Sequence, residues 1–219
     1  MMIGQPAEEI GAGAAMMLNE GLYEKFPIPD YGIGLHSSPT IPSGKVGFGK
    51  GYTMANTESI DIKIFGQGAH GASPHMSIDP IVTASLIVME LQTIVSRNLD
   101  LTNEAAVVTI GRFESGIRSN IIPESAYMEG TIRALDYEMR DEIYKRQKEI
   151  VVNTAKSNNL EAEVILKTPY PITYNDLKLT DQMKKTLFRV AGENNVKLAR
   201  ASTGAEDFSY FANKVPGFF

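Results

Sequence analysis

The chain has 219 residues, 43% apolar and 21% charged, enough to bury a core and too little charge for a disordered tail. Its 21 basic against 26 acidic side chains leave a net charge of −5, which argues against a general nucleic-acid binder, whose phosphate contacts need surplus Lys and Arg. Cysteine is absent, so disulfides, thiolate metal sites and cysteine nucleophiles are excluded. No apolar run reaches bilayer length and no signal-peptide pattern opens the chain; the expectation is a soluble cytoplasmic protein that binds neither membrane nor nucleic acid.

Met1–Gly4 reads as the end of a buried strand with nothing before it, and Pro216-Gly217-Phe218-Phe219 stops on two exposed-looking aromatics, so both ends read as cut. A helix is predicted from about Glu9 to Glu20, its Ala15, Met16, Leu18 and neighbouring glycines suited to close packing, with Gly21 as its stop. Glycine and proline crowd residues 31–54 and predict short strands and turns. Ser59–Phe65 then alternates polar and apolar, the two-residue period of a half-buried strand, and Gly66–Pro74 is a Gly-rich loop. Asp79-Pro80 supplies an N-cap and a first-turn proline for a helix to about Arg97. One apolar stripe on it runs Ile81, Ala84, Val88, Leu91, Val95; a second, Val82, Leu86, Met89, needs a partner other than the sheet.

Ala105–Arg112 and Ala126–Arg133 read as strands. Asp136 caps a helix to about Ser157 with Met139, Ile143, Ile150 and Val151 inward, and with Asp141–Lys145 and Glu142–Arg146 paired at i,i+4 outward. Glu161–Lys167 alternates as a closing strand. The order from 58 to 168 is β-α-β-β-α-β, the ferredoxin-like unit. Pro169 and Pro171 end it, and a last helix, Leu177–Glu193, leads into Ala201–Phe208. The fold class is therefore α/β with an inserted α+β domain: residues 57–171 form the insertion, and 1–56 with 172–219 belong to one other, partial domain.

The three histidines, His36, His70 and His75, all sit in Gly/Pro/Ser-rich loops. A single loop histidine is ordinarily solvated surface; three of three in such loops tilts the reading towards function. Glu8 and Glu9 are adjacent carboxylates ahead of a helix. From spacing alone they suit the positive end of a helix somewhat better than a division of labour, which is open because neighbouring side chains point about 100° apart on a helix: one acid can bind a metal while the other takes a proton. Arg133 is either a surface charge or a fork for a carboxylate. Asn120 is equally a turn residue, and Glu206-Asp207 can cap a short helix.

Six strings occur in order: Gln5-Pro6-Ala7-Glu8-Glu9, Gly34-Leu35-His36, Gly66–His75, Ser119-Asn120-Ile121-Ile122-Pro123, Gly130-Thr131-Ile132-Arg133 and Gly204-Ala205-Glu206-Asp207-Phe208. Together they closely resemble the aminoacylase and hippurate-hydrolase branch of the dinuclear metallopeptidases. The resemblance implies a zinc-peptidase-like α/β catalytic domain interrupted by a ferredoxin-like lid that also forms a homodimer. It implies Glu8 as general base, Glu9 and His36 as metal ligands, and His70 as the lid histidine that reaches a neighbouring subunit's site and stabilises the oxyanion. Asn120 and Arg133 then hold the substrate's carbonyl and carboxylate, Gly204 and Glu206 belong to the pocket wall, and His75 is lid structure. The implied cofactor is a pair of divalent ions, zinc, manganese or cobalt, and the implied reaction is hydrolysis of N-acyl amino acids or small carboxylate-bearing amides.

The family's further ligands, a Cys or Asp and a His upstream of the first motif and a His downstream of the last, have no counterpart in these 219 residues. Since a catalytic zinc ordinarily takes three protein ligands, a fragment of weak metal affinity and low activity is expected. The alternative is a non-catalytic dimerising lid module or truncated remnant.

Overall fold

The computed structural model describes residues 1–11 and 13–219, with the backbone alone at 168 and 169. In chain order come α1 (Gly13–Asn19), α2 (Leu22–Lys25), β1 (Gly32–Ile33), β2 (Val46–Phe48) and β3 (Gly51–Met54). Then follow β4 (Thr57–Phe65), β5 (Ala69–His70), α3 (Pro80–Thr93), β6 (Ala106–Ser115), β7 (Ile121–Ile122), β8 (Ser125–Ala134), α4 (Tyr137–Ser157) and β9 (Glu161–Tyr170). The last are β10 (Thr173–Asn175), α5 (Leu177–Ala191), β11 (Val196–Leu198), α6 (Phe208–Ala212) and β12 (Gly217–Phe218). The chain divides into two compact units, Met1–Thr57 with Pro169–Phe219, and Glu58–Thr168. Among the described residues no helix is long and apolar enough to cross a membrane.

The Glu58–Thr168 unit is a four-stranded sheet in the order β6-β8-β4-β9. With β4, β6, β8 and β9 as first to fourth strands and α3 and α4 between them, this is the ferredoxin-like arrangement. Strand period writes the core: Ile60, Ile62 and Ile64 of β4 and Met128 and Ile132 of β8 are buried beneath the helices, while Lys63 and Phe65 are exposed. Asp79 caps α3 by accepting from the amides of Ile81 (2.8 Å) and Val82, and Asp136 caps α4 through Met139 N at 2.9 Å.

Three details of the helices differ from expectation. The α3 stripe facing the sheet is Ala84, Ile87, Leu91 and Ile94, with Val88 and Val95 at its margin, and Ile81 is 38% exposed. The inward residues keep the i,i+3/i,i+4 spacing, and Ile81, one position beyond Pro80, is rotated off that line. The α-helix stops at Thr93 and continues as a π-helical turn over Ile94–Asn98. On α4 the ion pairs are instead Glu142–Lys145 at 3.7 Å and Arg146–Glu149 at 2.7 Å, both i,i+3, with Asp141 on its neighbour Arg140 at 2.7 Å. Met139, Ile143, Ile150 and Val151 are buried as expected, and Asp79 and Asp136 cap their helices as expected.

The second unit is built from paired short strands. β1 runs parallel to β12, β2 parallel to β11, and β3 antiparallel to β10. Phe208 and Phe211 of α6 pack on Ala14 and Leu22, and Phe48, Leu179, Val196 and Phe218 form a second cluster. Met1–Gly4 forms no strand, and Met1 and Met2 are exposed, because those residues have no ladder neighbour. Phe218, expected at the surface, is buried, since its strand pairs with β1. The helix expected over Glu9–Glu20 crosses residue 12, outside the described residues. Before it lies a 3-10 turn, Glu8–Ile10, closed by Gly11 at φ 69°, and after it α1.

Candidate active site

Three of the sequence motifs meet within the discontinuous unit. The Gln5–Glu9 segment is a tight turn: Ala7 takes φ 57°, ψ 32°, a left-handed conformation that costs an L-residue about 1–2 kcal/mol and recurs at functional sites. The Glu8 carbonyl accepts from Gly11 N at 2.8 Å and from the Tyr170 hydroxyl. The turn leaves Glu8 half-buried and Glu9 exposed.

Asp207 ties this turn to the Gly204–Phe208 loop. It is fully buried and accepts from the Gln5 side-chain amide and from Ala14 N at 2.9 Å, so it satisfies an amide in the first turn of α1. Sequence reasoning offered Glu206-Asp207 as caps of a short helix. Asp207 does stand at the N-cap of α6, but its carboxylate serves α1 instead, and Glu206 Oε1 takes Phe208 N at 3.3 Å.

His36 follows β1 on the carboxyl side of the parallel β1/β12 pair, the position where α/β sheets commonly bind ligands. Gly34 N donates to Phe218 O at 2.9 Å. A Cβ on Gly34 would lie 2.5 Å from the Phe219 ring, so only glycine lets the strand lie this close. The His36 ring stands edge-on to Phe219 at 6.2 Å, with Nδ1 on the carbonyl of Ser37.

Glu8, His36 and Glu206 line one cavity of about 760 Å³ together with Gln5, Phe208 and Phe219. Burial raises the Glu8 carboxyl above its ordinary range, and the charges of Glu9 and Asp207 push it further; His36 partly offsets them. Glu206 is likewise raised, first by burial and then by Glu8 and Asp207. This is an acidic pocket with one imidazole, in which each carboxylate makes its neighbour a better proton holder. Gly204 is not among the lining residues; its amide bonds Ser202 Oγ at 3.0 Å. Among the described residues no three His, Asp or Glu side chains converge as a metal-binding group. Sequence reasoning missed Gln5 and Phe219; the pairing of Gln5 with Asp207 spans 202 positions and leaves no local signal.

The remaining site residues lie in the Glu58–Thr168 unit. β5 pairs antiparallel with β7, His70 opposite Ile121, and Gly71 N donates to the Asn120 carbonyl at 2.8 Å, so His70 and Asn120 share one patch. His70 is exposed, and its Nδ1 accepts from Ala72 N at 3.1 Å. A neutral ring with an accepting Nδ1 carries its proton on Nε2, which is then a donor. The patch borders Ser125 at one end of β8. Arg133 lies near the other end of that strand, opposite Val107 and eight residues from Ser125, about 27 Å at strand rise. His75 lies in a 3-10 turn, Pro74–Met76.

The family description "Peptidase family M20/M25/M40" matches residues 1–219. The chain is 37% identical over 218 residues to the N-acetyldiaminopimelate deacetylase of Anoxybacillus flavithermus, covering 100% of this chain and 57% of that protein. It is 38% identical over 208 residues to the hippurate hydrolase of Campylobacter jejuni, covering 94% and 54%. Among solved structures it resembles the Bacillus subtilis YXEP protein, described as a dinuclear metal binding peptidase from the M20 family, with a TM-score of 0.80, 31% identity, and coverage of 98% of this chain and 53% of that one. The chain thus spans a little over half the length of the relatives it matches.

Proposed function

This chain belongs to peptidase family M20/M25/M40, and from that premise we propose that it carries the lid and part of the hydrolytic pocket of a metal-dependent amidohydrolase acting on N-acyl amino acids or related small carboxylate-bearing amides. The observation that carries the reading is the shared cavity of Glu8, His36 and Glu206, in which a half-buried carboxylate of raised proton affinity stands with an imidazole. The relatives named as an N-acetyldiaminopimelate deacetylase and a hippurate hydrolase support the substrate class.

The donor set fits a divalent cation in part. Glu8 and Glu206 stand with His36 in the cavity, and a cation would relieve their mutual repulsion; the ligands that would hold it are His36, on the cavity wall, and Glu9, which is exposed and not among the lining residues. Two protein donors fall short of the usual three, so the affinity of these residues alone is low. When bound, such an ion supplies Lewis-acid activation of water near neutral pH; zinc, manganese and cobalt all suit N/O donors.

The chain's own residues do the rest. Glu8 accepts a proton from the attacking water and returns it to the departing amine nitrogen, the work of a general base and acid. His70 donates from Nε2 to the developing oxyanion, a contribution typically worth about 2.7–4 kcal/mol. Asn120 assists at the carbonyl, Arg133 forks the substrate carboxylate, and Glu206 closes the pocket wall.

One small substrate cannot touch both ends of a lid that separates His70 from Arg133 by the length of β8. Two lids, and therefore a homodimer, supply the two groups to one site. Among the described residues β6 is an edge of the sheet with no strand beyond it, and Val82, Leu86 and Met89 of α3 are 56%, 44% and 71% exposed in the single chain, an apolar stripe beyond what the sheet needs.

The test is hydrolysis of N-acyl amino acids by the chain loaded with zinc, manganese or cobalt. Turnover that falls about 10²–10⁴-fold in Glu8→Gln, the usual range for general acid–base catalysis, is the expected result. Among the described residues no third donor converges, and this favours a second reading, a dimerising lid module without catalysis. An absence of both stoichiometric metal and turnover decides for that second reading.

A further inference from the structure

The Glu58–Thr168 unit contains a cavity of about 850 Å³ with His70 on its wall. We propose that this cavity receives the acyl group of the substrate and selects uncharged, apolar acyl groups larger than acetyl. The proposal rests on the amidohydrolase reading, in which His70 Nε2 donates to the oxyanion.

The argument begins at the carbonyl. A donor sits about 2.7–3.1 Å from the oxyanion, and the first acyl carbon is bonded to the same carbon as that oxygen. The acyl chain therefore starts within roughly 5 Å of Nε2 and must leave along whatever surface flanks His70. That surface is apolar: Ala69, Ile117, Ile121, Ile122, Pro123 and Tyr127 line the cavity. Because pocket and histidine belong to one unit, the pocket travels with His70 to whichever subunit's site the histidine serves.

Size and charge decide the class. An acetyl methyl would leave nearly all of the space to water, whereas a phenyl ring or longer aliphatic chain would dehydrate it. Ile117, held out by Gly116 at φ 75°, is 88% exposed and Ile121 is 40% exposed; burying such side chains against a ligand is favourable at about 25 cal/mol per Å². The charged residues on the wall are Glu114 and Glu124. Glu114 is paired to Arg112 at 2.7 Å. A succinyl or other anionic acyl group would meet carboxylate repulsion.

The test uses the whole chain with isotope-labelled isoleucine methyl groups, metal-free, titrated with N-benzoylglycine, N-acetylglycine and N-succinylglycine. Expected are saturable ring-current shifts at Ile117, Ile121 and Ile122 with the benzoyl probe, and none at those methyls with the other two. In the metal-loaded protein, Ile117→Glu is expected to lower the benzoyl-over-acetyl ratio of kcat/KM by about tenfold. The proposal is overturned if N-benzoylglycine leaves those methyls unmoved, if N-acetylglycine moves them equally, or if Ile117→Glu depresses both substrates alike. Failure of the amidohydrolase reading shows separately, as no turnover of any acyl glycine by the metal-loaded wild type, and the methyl shifts then judge the pocket alone.

Discussion

Glu206 is 5% exposed yet carries a group that ionises in water, and burial is the largest cause of its raised proton affinity. A carboxyl whose folded pKa lies above its unfolded value adds stability below the unfolded pKa and loses it as pH rises through the folded one. In the metal-free protein, Glu206→Gln removes that loss while keeping an acceptor for Phe208 N. The variant is expected to melt with the wild type near pH 4 and above it at pH 7. Thermal denaturation at the two pH values checks this, and an equal or lower melting temperature at pH 7 contradicts burial as the cause. The residue types of this pocket were legible: Glu8, His36 and Glu206 stood out in sequence, and they line one cavity. The positions of Gln5 and Asp207 were not, because their mutual contact and the Asp207 bond to Ala14 cross 202 and 193 positions and carry no period or cap signature.

Elements with a strict period or a capped start were readable at their starts to within a residue or two, as the Asp79 and Asp136 caps and the buried Ile60, Ile62 and Ile64 demonstrate. The choice of stripe on α3 was not, because that helix is apolar nearly all round and Ile81 competes with Ile87 on sequence alone. The discontinuous unit was less legible still, since strands of two to four residues hold too few alternations for a pattern. In the sheet, Gly130 of β8 sits against β6 so closely that a Cβ would lie 2.2 Å from the Thr109 carbonyl oxygen and 2.9 Å from Ile110 Cδ1. The neighbouring ladder already shifts register between Ile110 and Arg112, so the backbone has little room left to yield. Gly130→Ala is expected to destabilise the chain by about 1–3 kcal/mol, the usual cost of overpacking. Urea unfolding monitored by circular dichroism reads the change, and a midpoint equal to wild type would mean that the ladder absorbs a methyl group.

At the scale of the whole molecule the question is how many chains make one working site. His70 and Asn120 lie towards the Ser125 end of β8 and Arg133 at its other end, so the proposed dimer that shares lids can be dissected by mixing. Suppose His70→Ala and Arg133→Ala are each inactive, and the two are unfolded together and refolded at equal concentration. Half of the dimers then carry one of each chain. If a site takes Arg133 from one lid and His70 from the other, one of the two sites in each mixed dimer is intact and the other lacks both groups. The mixture then recovers roughly a quarter of wild-type activity, as statistics of a closed two-fold assembly require. If both groups came from the same lid, every site in the mixture would lack one of them and nothing would return. Replacing Leu86 and Met89 together by Glu places two charges on the exposed α3 stripe and is expected to shift the sedimenting species from dimer to monomer. Activity should fall with it even though Glu8, His36, His70 and Arg133 are all untouched. A monomeric wild type, or full activity in a monomeric variant, would remove the two-lid site while leaving the pocket around Glu8 as it stands.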